Sequence, residues 1–579
     1  MKKILLLFFF SGILYSAFAQ APVWLWAKGM GGTYIDYGND VAVDLLGNVY
    51  TVGGFWGTVD FDPGPGIFNL TSAGNFDIFI SKLDSAGNFV WAKQIGNTLF
   101  DDGFSIAVDP SGSGDIYTTG AFQGSVDFDP GPGTFNLTSA GGTQDIFVSR
   151  LDASGNFVWA KAMGGTDSND ERGQSISVDA SGNVYTTGYF WSVADFDPGP
   201  GIFNLTAAGA RDIFVSKLNS SGNFLWAKQI GGIAYDVGYS VALHLSGSQD
   251  VYTTGSFRDT VDFDPGPGVF NLTAVGAEDI FISRLDSAGN FVWAKQIGGI
   301  SSDVGLSTAI DDSGNVITTG TFQGTVDFNP DTGIFNLISG GNLDIFISKL
   351  NASGNFVWAK QIGGAALDAA YSIALYPSGN ENIYTTGSFR NTVDFDPGPG
   401  VFNLTATSAS FSDIFILRLD GSGNFVWVKA AGGANDDIGR SLAFDASGYL
   451  HVAGYFASPS ISFGSSTLIN DTTDNTYDVF IARLDTSAAI PTGINDAINA
   501  SIGVFVYPNP AGNELRIQSA ELKIESVEIY DVIGDKMFSR HPAVGSQQLS
   551  IDVSEFTPGI YFVKVKGEGK EHITKFVKQ

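Results

Sequence analysis

Cysteine is absent from all 579 residues, which excludes disulfides, thiolate metal sites, a thiol nucleophile and the lipidated cysteine of a lipoprotein anchor. Histidine is scarce. His244, His451, His541 and His572 stand at no metal-ligand spacing and recur in no pattern, so they support neither a zinc site nor a Ser-His pair, and most are expected at the surface. Positive charge is in short supply, with 30 Lys and Arg against 60 Asp and Glu. A formal charge of −30 excludes nucleic acid as a partner, because polyanion binding needs the opposite sign. The acidity belongs to the chain before Val504, since beyond it the two signs nearly cancel. Past the first residues no stretch approaches the roughly 20 apolar side chains of a membrane-spanning helix, so the mature chain is expected to have no transmembrane segment.

The first residues form a short export leader. Lys2 and Lys3 precede an apolar stretch from Ile4 to Leu14 and then Ala17-Phe18-Ala19, the small-x-small pattern of a signal peptide, which places cleavage after Ala19 and bounds residues 1–19.

Glycine, with 74 residues, and an abundance of Phe, Val, Ile, Thr and Tyr describe an all-β chain. A Trp-x-Lys recurs at Trp26, Trp91, Trp159, Trp226, Trp293, Trp358 and Trp427, at intervals of 65 to 69 residues. Each period carries four short β-branched and aromatic runs cut by Ser-Gly, Gly-Asn and Pro-Gly. In the second period they are 103–109, 115–122, 145–151 and 156–161. Runs such as Ile146-Phe147-Val148 are apolar on both faces, so each sheet must be covered on both sides, as radial stacking provides. The ends are complementary: Val23 to Lys28 is a fourth strand lacking its third, and Asp478 to Leu484 a third lacking its fourth. Pairing them removes an open sheet edge. The expected fold is a seven-bladed β-propeller of four-stranded blades over residues 20–485, closed by the N-terminal strand.

Six periods carry an acidic segment between their second and third runs, Val59-Asp-Phe-Asp-Pro-Gly-Pro-Gly66 in the first. Strand alternation puts Asp60 and Asp62 on one face and Val59 and Phe61 on the other, and Gly-Pro-Gly then reverses the chain, which predicts a hairpin extending from one rim. Two readings stand. The pairs Asp60 and Asp62, Asp127 and Asp129, Asp195 and Asp197, Asp262 and Asp264, and Asp394 and Asp396 are either solvated turn residues or oxygen ligands for calcium, the one candidate cofactor. The fifth copy reads Asp327-Phe-Asn329, and the seventh period replaces the motif. A second acidic set precedes the first strand, at Asp101-Asp102, Asp236, Asp303 and Asp436. It reads as turn chemistry, with a ring of carboxylates at a channel mouth as the alternative. Gly-x-Ser at Gly103, Gly173, Gly238, Gly305 and Gly439 lacks the second Gly of a nucleophile elbow, and no enzyme is expected. The sequons at Asn69, Asn136, Asn204, Asn271 and Asn403 keep register with Phe68 and Leu70 and their equivalents, which assigns them a packing role.

The repeats resemble the SBBP family, named for seven-bladed β-propellers, through Asp-x-x-Gly-Asn-Val-Tyr-Thr-Thr-Gly, complete at Asp179 to Gly188, and Gly-Asn-Phe-Val-Trp-Ala-Lys. The resemblance implies architecture and no particular activity.

Residues 486–503 lose the repeat and read as an Ala-, Ser-, Thr- and Pro-rich linker. From 504 to 579 apolar and polar residues largely alternate, as in a small immunoglobulin-like β-sandwich. Tyr507-Pro508-Asn509-Pro510, Gly534, Gly559, Tyr561, Lys575 and Lys578 make this stretch resemble the C-terminal sorting domain of type IX secretion cargo from Bacteroidetes-like bacteria. That resemblance implies the type IX machinery as partner and delivery to the outer-membrane surface or the medium. The expected role is a non-catalytic binding or adhesion platform for an extracellular protein or glycan. A structural matrix component and a glycan-acting hydrolase are the alternatives. The loop at 94–102 and its equivalents vary more between copies than the Asp-Phe-Asp-Pro-Gly rim, so the binding face is expected there.

Overall fold

The computed structural model describes residues 22–245, 247–377, 381–470 and 476–486, and further on 504–507, 514–519, 524–531, 536–541, 548–557, 559–567 and 570–578. The expected signal peptide, with its cleavage after Ala19, lies outside them, as do Pro508, Asn509, Pro510, Gly534 and nearly all of the expected linker. The chain divides into two compact units, one of them Pro22–Ser487.

Among the described residues the larger unit repeats a set of four antiparallel strands, numbered below as sheets, with hairpin strands joining some sets into a six-stranded and an eight-stranded sheet. Sheet 1 runs Asp36–Val43, Val49–Phe55, Asp77–Leu83 and Phe89–Ile95 from its first strand to its fourth. Sheets 2 to 6 repeat it, beginning at Asp102–Val108, Arg172–Val178, Val237–Leu243, Val304–Ile310 and Ala369–Leu375. Sheet 7 takes Asp437–Phe444, Leu450–Phe456 and Asp478–Asp485, and its fourth strand is Val23–Gly32 from the other end of the chain. Trp26 opposes Arg483 and Met30 opposes Val479, so the two incomplete ends do complete one sheet. The first strand of each sheet touches that of the next, and the seventh touches the first, which closes a ring.

Local chemistry explains the repeated words of the sequence. In Asp84-Ser-Ala-Gly-Asn88 the Asp84 carboxylate accepts the N–H groups of Ala86 and Asn88, both at 2.9 Å, and the Asn88 amide at 2.9 Å. The same turn recurs at Asp44, Asp152, Asp179 and Asp286. Gly87 sits at φ +79°, where a side chain is strained, and a Cβ there would reach within 3.0 Å of the Trp26 indole. In Thr118-Thr119-Gly120 a Cβ on Gly120 would lie 2.0 Å from the Asp102 carbonyl of the neighbouring strand, which no side chain tolerates.

Adjacent sheets are stapled at their outer ends. The Trp91 indole of sheet 1 donates to the Ala153 carbonyl in sheet 2 (3.4 Å), and Lys82 Nζ donates to the same oxygen (2.9 Å). Trp159 and Arg150 repeat this on Ser220 O, and Trp26 and Arg483 of sheet 7 repeat it on Ser85 O of sheet 1. The apolar core lies between the sheets: Phe55, Phe61 and Phe79 of sheet 1 pack with Met30, Val479 and Ile481 of sheet 7.

The acidic segments are hairpins, but they do not stand free. Val59 and Phe61 are fully buried, Phe61 lying 5.0 Å from Phe79, while Asp60 and Asp62 remain half-buried. The hairpin lies against the outer strand of the preceding sheet, with Gly31 opposite Asp60 and Gly164 opposite Asp195. Its Val-x-Phe wedge therefore fills the gap between two sheets. Asn69 pairs with Asp60, and Phe68 packs 4.9 Å from Phe89, as the packing reading of the sequons expects.

In the C-terminal unit Val504–Tyr507, Glu514–Ser519 and Gln548–Asp552 form one sheet. Lys536–Arg540, Ser526–Asp531, Gly559–Gly567 and Lys570–Lys578 form the other. Leu515, Ile517 and Ile551 from the first and Val527, Ile529, Val563 and Phe576 from the second share one core.

Candidate functional site

Every first strand carries a β-bulge, at Gly-x-Ser in five of them, as between Gly103 and Ser105 in sheet 2, at Gly38-Asn39-Asp40 in sheet 1 and at Ala370-Tyr371-Ser372 in sheet 6. A bulge sets two successive residues against one partner and re-aims their side chains. As a result both the variable residue and the serine after it line a central cavity of about 280 Å³. The serine layer is Ser105, Ser175, Ser240, Ser307, Ser372 and Ser441, with Asp40 in the seventh place. The layer next to it is Asn39, Phe104, Gln174, Tyr239, Leu306, Tyr371 and Arg440.

The serines form a belt. Each accepts a backbone N–H from the next sheet: Ile176 N on Ser105 Oγ (3.3 Å), Val241 N on Ser175, Thr308 N on Ser240 and Ile373 N on Ser307 (3.2 Å each). Leu442 N on Ser372 (3.1 Å) and Val41 N on Ser441 (3.3 Å) continue the series. Asp40 fills the remaining place, accepting Ile106 N at 2.8 Å, Ser105 Oγ at 2.7 Å, Ser441 Oγ at 2.5 Å and Val41 N at 2.9 Å. Burial raises its pKa, and the hydroxyl and amide donors oppose that rise. The Gly-x-Ser serines thus join sheets to one another.

Asp40, Arg440, Phe104, Tyr239 and Tyr371 are the charged and aromatic members of this lining, and further such groups neighbour them. Asp102 accepts the Asn39 amide at 3.2 Å. Burial pushes its carboxyl up to about 7, with Arg172 and Arg440 pulling the other way. The Arg172 guanidinium lies 5.6 Å from the Phe104 ring centre and that of Arg440 lies 4.8 Å from Tyr371. Arg211 sits among Tyr189 (4.6 Å), Tyr235 (5.2 Å) and Trp191 (5.7 Å). Arg258 pairs with Glu278 at 2.5 Å and Arg390 with Asp436 at 3.2 Å. A chain of rings continues the surface: Tyr34 stacks on Trp56 at 4.6 Å, and Phe76, Tyr37 and Tyr455 follow. Tyr34 and Trp56 are 46% and 38% exposed.

The acids singled out in the sequence lie elsewhere. Asp60 Oδ1 accepts Asp62 N at 3.0 Å and Phe68 N at 2.8 Å, and Asp62 Oδ1 accepts Gly64 N at 2.8 Å. The first acid of the other pairs, Asp127, Asp195, Asp262 and Asp394, likewise holds two amides across the hairpin neck. The second acid caps the tip: Asp129 Oδ1 accepts Gly131 N at 2.8 Å, Asp197 Oδ1 accepts Gly199 N at 2.9 Å, Asp264 Oδ1 accepts Gly266 N at 2.8 Å and Asp396 Oδ1 accepts Gly398 N at 2.8 Å. A calcium cage needs several oxygen ligands around one point. The structure brings none of Asp129, Asp197 and Asp264 together with two further acids. The same holds for Asp62 and Asp396, because among the described residues no three Asp, Glu or His side chains converge. The physical reason is that each carboxylate is turned onto the amides of its own hairpin.

Asp101, Asp236 and Asp303 are not a ring at a channel mouth. They are fully buried between sheets, where Asp101 accepts Asn97 N and Gln123 N. His451 is not a surface residue. It is buried in the place of the Tyr of other sheets, 3.4 Å from Asp445, and burial lowers its pKa.

Among the sorting-signal residues, Tyr507 opposes Arg516, Gly559 opposes Lys578, and Lys575 opposes Phe562. Tyr561 is buried and its hydroxyl donates to Thr557 O at 2.9 Å.

Residues 505–579 match the family of secretion system C-terminal sorting domains. This unit is the export signal, and it implies delivery by the type IX secretion machinery to the cell surface or beyond. The chain is 27% identical over 542 residues to an uncharacterized WD repeat-containing protein of Acanthamoeba polyphaga mimivirus, covering 79% of this chain and 38% of that one. It is 29% identical over 237 residues to the regulatory protein FlaEY of Caulobacter vibrioides, covering 40% and 24%. The chain thus spans well under half the length of both relatives. Among solved structures, Sqt1 from Chaetomium thermophilum aligns at TM-score 0.36 and 11% identity, over 80% of this chain and 99% of that one. The extracellular domain of a one-component system from B. thetaiotaomicron aligns at TM-score 0.16 and 10% identity, over 93% and 92%.

Proposed function

We propose that this chain is an exported, non-catalytic binding platform: a seven-bladed β-propeller of the SBBP type, carried out of a Bacteroidetes-like cell by an immunoglobulin-like sorting domain. Its ligand seats at the central cavity. One observation carries this reading. The first strands keep Gly and Ser almost unchanged, yet the residue between them is Asn39, Phe104, Gln174, Tyr239, Leu306, Tyr371 and Arg440. Packing alone asks for the same residue in every sheet, whereas an asymmetric ligand asks for different ones. The test is binding of the purified full chain to surface polysaccharides and proteins of its habitat, beside a Gln174→Ala, Tyr239→Ala, Tyr371→Ala triple variant. With an unchanged melting midpoint, the variant is expected to bind at least about tenfold more weakly. Equal binding overturns the reading.

A repeated apolar edge supports a matrix component as the second reading. Ile67, Ile202, Val269, Ile334 and Val401, at equivalent hairpin tips, are 72 to 79% exposed. Replacing all five with Thr, the residue that the second hairpin carries at 134, is expected to abolish concentration-dependent sedimentation if the rings associate through these tips.

Calcium remains a candidate only at the hairpins, and their amide-bound aspartates favour the turn reading. The melting midpoint is expected to be the same in chelator and in millimolar Ca²⁺. A rise of several degrees would instead report a bound ion.

A further inference from the structure

The class of ligand follows from what surrounds the cavity, on the premise that the cavity is the binding site proposed above. The cavity is near the lower bound of about 300 Å³ for small-molecule sites and admits about one ring-sized group at a time. Its floor is polar. Ser175, Ser240, Ser307 and Ser372 each accept one backbone N–H, which leaves the hydroxyl proton to donate to a ligand. Asn39 and Gln174 add amides, and Phe104, Tyr239 and Tyr371 add flat aromatic faces. Rings, amides and hydroxyls on one wall suit a pyranose, with its apolar C–H face and its edge of hydroxyls.

The positive charge narrows this further. In a repeat region with a large excess of acid, Arg440 lines the cavity, Arg172 rests on its Phe104, Arg211 and Arg258 lie within electrostatic reach of its Tyr239, and Arg390 pairs with Asp436. Two of these arginines are neutralised by Glu278 and Asp436. Among the described residues no carboxylate stands within ion-pair distance of Arg172, Arg211 or Arg440. Each instead rests on aromatic rings, which hold the guanidinium plane in place, and the Nε of each is buried without a hydrogen-bond partner. Two acids lie close by. Asp40 lines the cavity with its carboxylate held by four donors, which oppose the rise that burial imposes on its pKa, and burial pushes Asp102 up to about 7, so Asp102 is partly protonated near neutrality.

We propose that the cavity binds an acidic glycan, a uronate-type residue seating its ring on Tyr371 and Phe104, its carboxylate on the Arg440 and Arg172 forks and its hydroxyls on the serine belt. Bidentate guanidinium–carboxylate pairing gives both charge and geometry.

The test uses the full chain on immobilised polygalacturonate, alginate and hyaluronan, with galactan and dextran as neutral partners. Retention on at least one acidic polymer, weakened by salt and absent from the neutral ones, is expected. Arg440→Gln and Arg172→Gln should each lower it about tenfold at unchanged melting midpoint. Arg440→Lys, which keeps the charge but not the fork, should restore it only in part. Equal retention of neutral polymers by wild type and both Gln variants overturns the acidic specificity and leaves the platform standing. Retention of no polysaccharide overturns the glycan assignment. The platform reading itself falls only if every bound partner is indifferent to the Gln174, Tyr239 and Tyr371 substitutions.

Discussion

The ring of sheets is expected to be more stable at pH 5 than at pH 8, its melting midpoint falling by roughly 5–10 °C between them. At each of the seven junctions a buried acid at the start of a third strand faces one at the start of the next sheet's first strand. The pairs are Asp77/Asp101, Asp145/Glu171, Asp212/Asp236, Asp279/Asp303, Asp344/Asp368, Asp413/Asp437 and, at the closure, Asp478/Asp36. Burial is the largest cause of the upward shift in each, and the like charge of the partner adds to it. Asp101, Asp236, Asp303 and Asp437 are pushed up to about 7, and Asp77, Asp212 and Asp368 to about 6. Asp145 and Glu171, tightly coupled, move the same way. An unfolded chain releases these protons near pH 4, whereas the folded chain keeps them to about pH 6–7. Between those limits the folded state binds more protons, so stability falls as pH rises. Below about pH 4 both states are protonated and the contribution is complete.

One substitution isolates the effect. Asp212 Oδ1 is buried without a hydrogen-bond partner, while Oδ2 accepts Ala208 N at 2.9 Å and Gln229 Nε2 at 2.5 Å. Asp212→Asn keeps an acceptor for those donors and is neutral at every pH. It is expected to stabilise the protein by about 2–3 kcal/mol at pH 8, by about half as much at pH 5, and to change little at pH 4. Calorimetry across the range checks both. A flat profile for the wild type removes the carboxyl pairs from the account of stability.

The other large effect concerns closure. A chain beginning at Thr33, lacking Val23–Gly32, loses the fourth strand of sheet 7 and bares the ladder of Asp478–Asp485. It also loses buried Trp24 and Met30, each worth about 2–5 kcal/mol when truncated. The Trp26 hydrogen bond to Ser85 O goes with them. Loss of the cooperative transition and association through the open edge are expected, visible in scanning calorimetry and size-exclusion chromatography. A monomer melting within a few degrees of the full chain would show that the ring needs no closure.

Much of this architecture is legible in the sequence because it is periodic. Trp91 and its counterparts mark the fourth strand, and Val59 and Phe61 alternate inward as a strand requires. The complementary ends announce their pairing. What escapes is non-local. Asp77 and Asp101 meet only once sheets are stacked, so Asp101 taken with its chain neighbours alone resembles ordinary turn chemistry. The aspartates of the hairpins, Asp129, Asp197 and Asp264 among them, have the spacing of paired ligands, but spacing does not say that each carboxylate is spent on the amide two residues ahead. Nor does it show that the hairpin lies flat, because the register of Gly31 with Asp60 links strands from different sheets. The cavity residues are hidden by a bulge, since alternation predicts that only one of Tyr239 and Ser240 faces inward, whereas both do. Their signal lies in view even so: one position changing from copy to copy inside a nearly constant Gly-x-Ser frame. The variation sought in the loop at 94–102 is also present within the strand.

The strand from which the chain leaves the ring, Asp478–Asp485, is paired on both sides, with Leu450–Phe456 and with Val23–Gly32. A mechanical load reaching the ring from the C-terminal side is therefore shared by two hydrogen-bonded ladders at once. An outermost strand in that position would meet it with one ladder and could be peeled away pair by pair. Placing the N-terminal segment outside the exit strand makes the first part of the chain a brace for the last, so that a ring held through its C-terminus resists traction at its point of attachment.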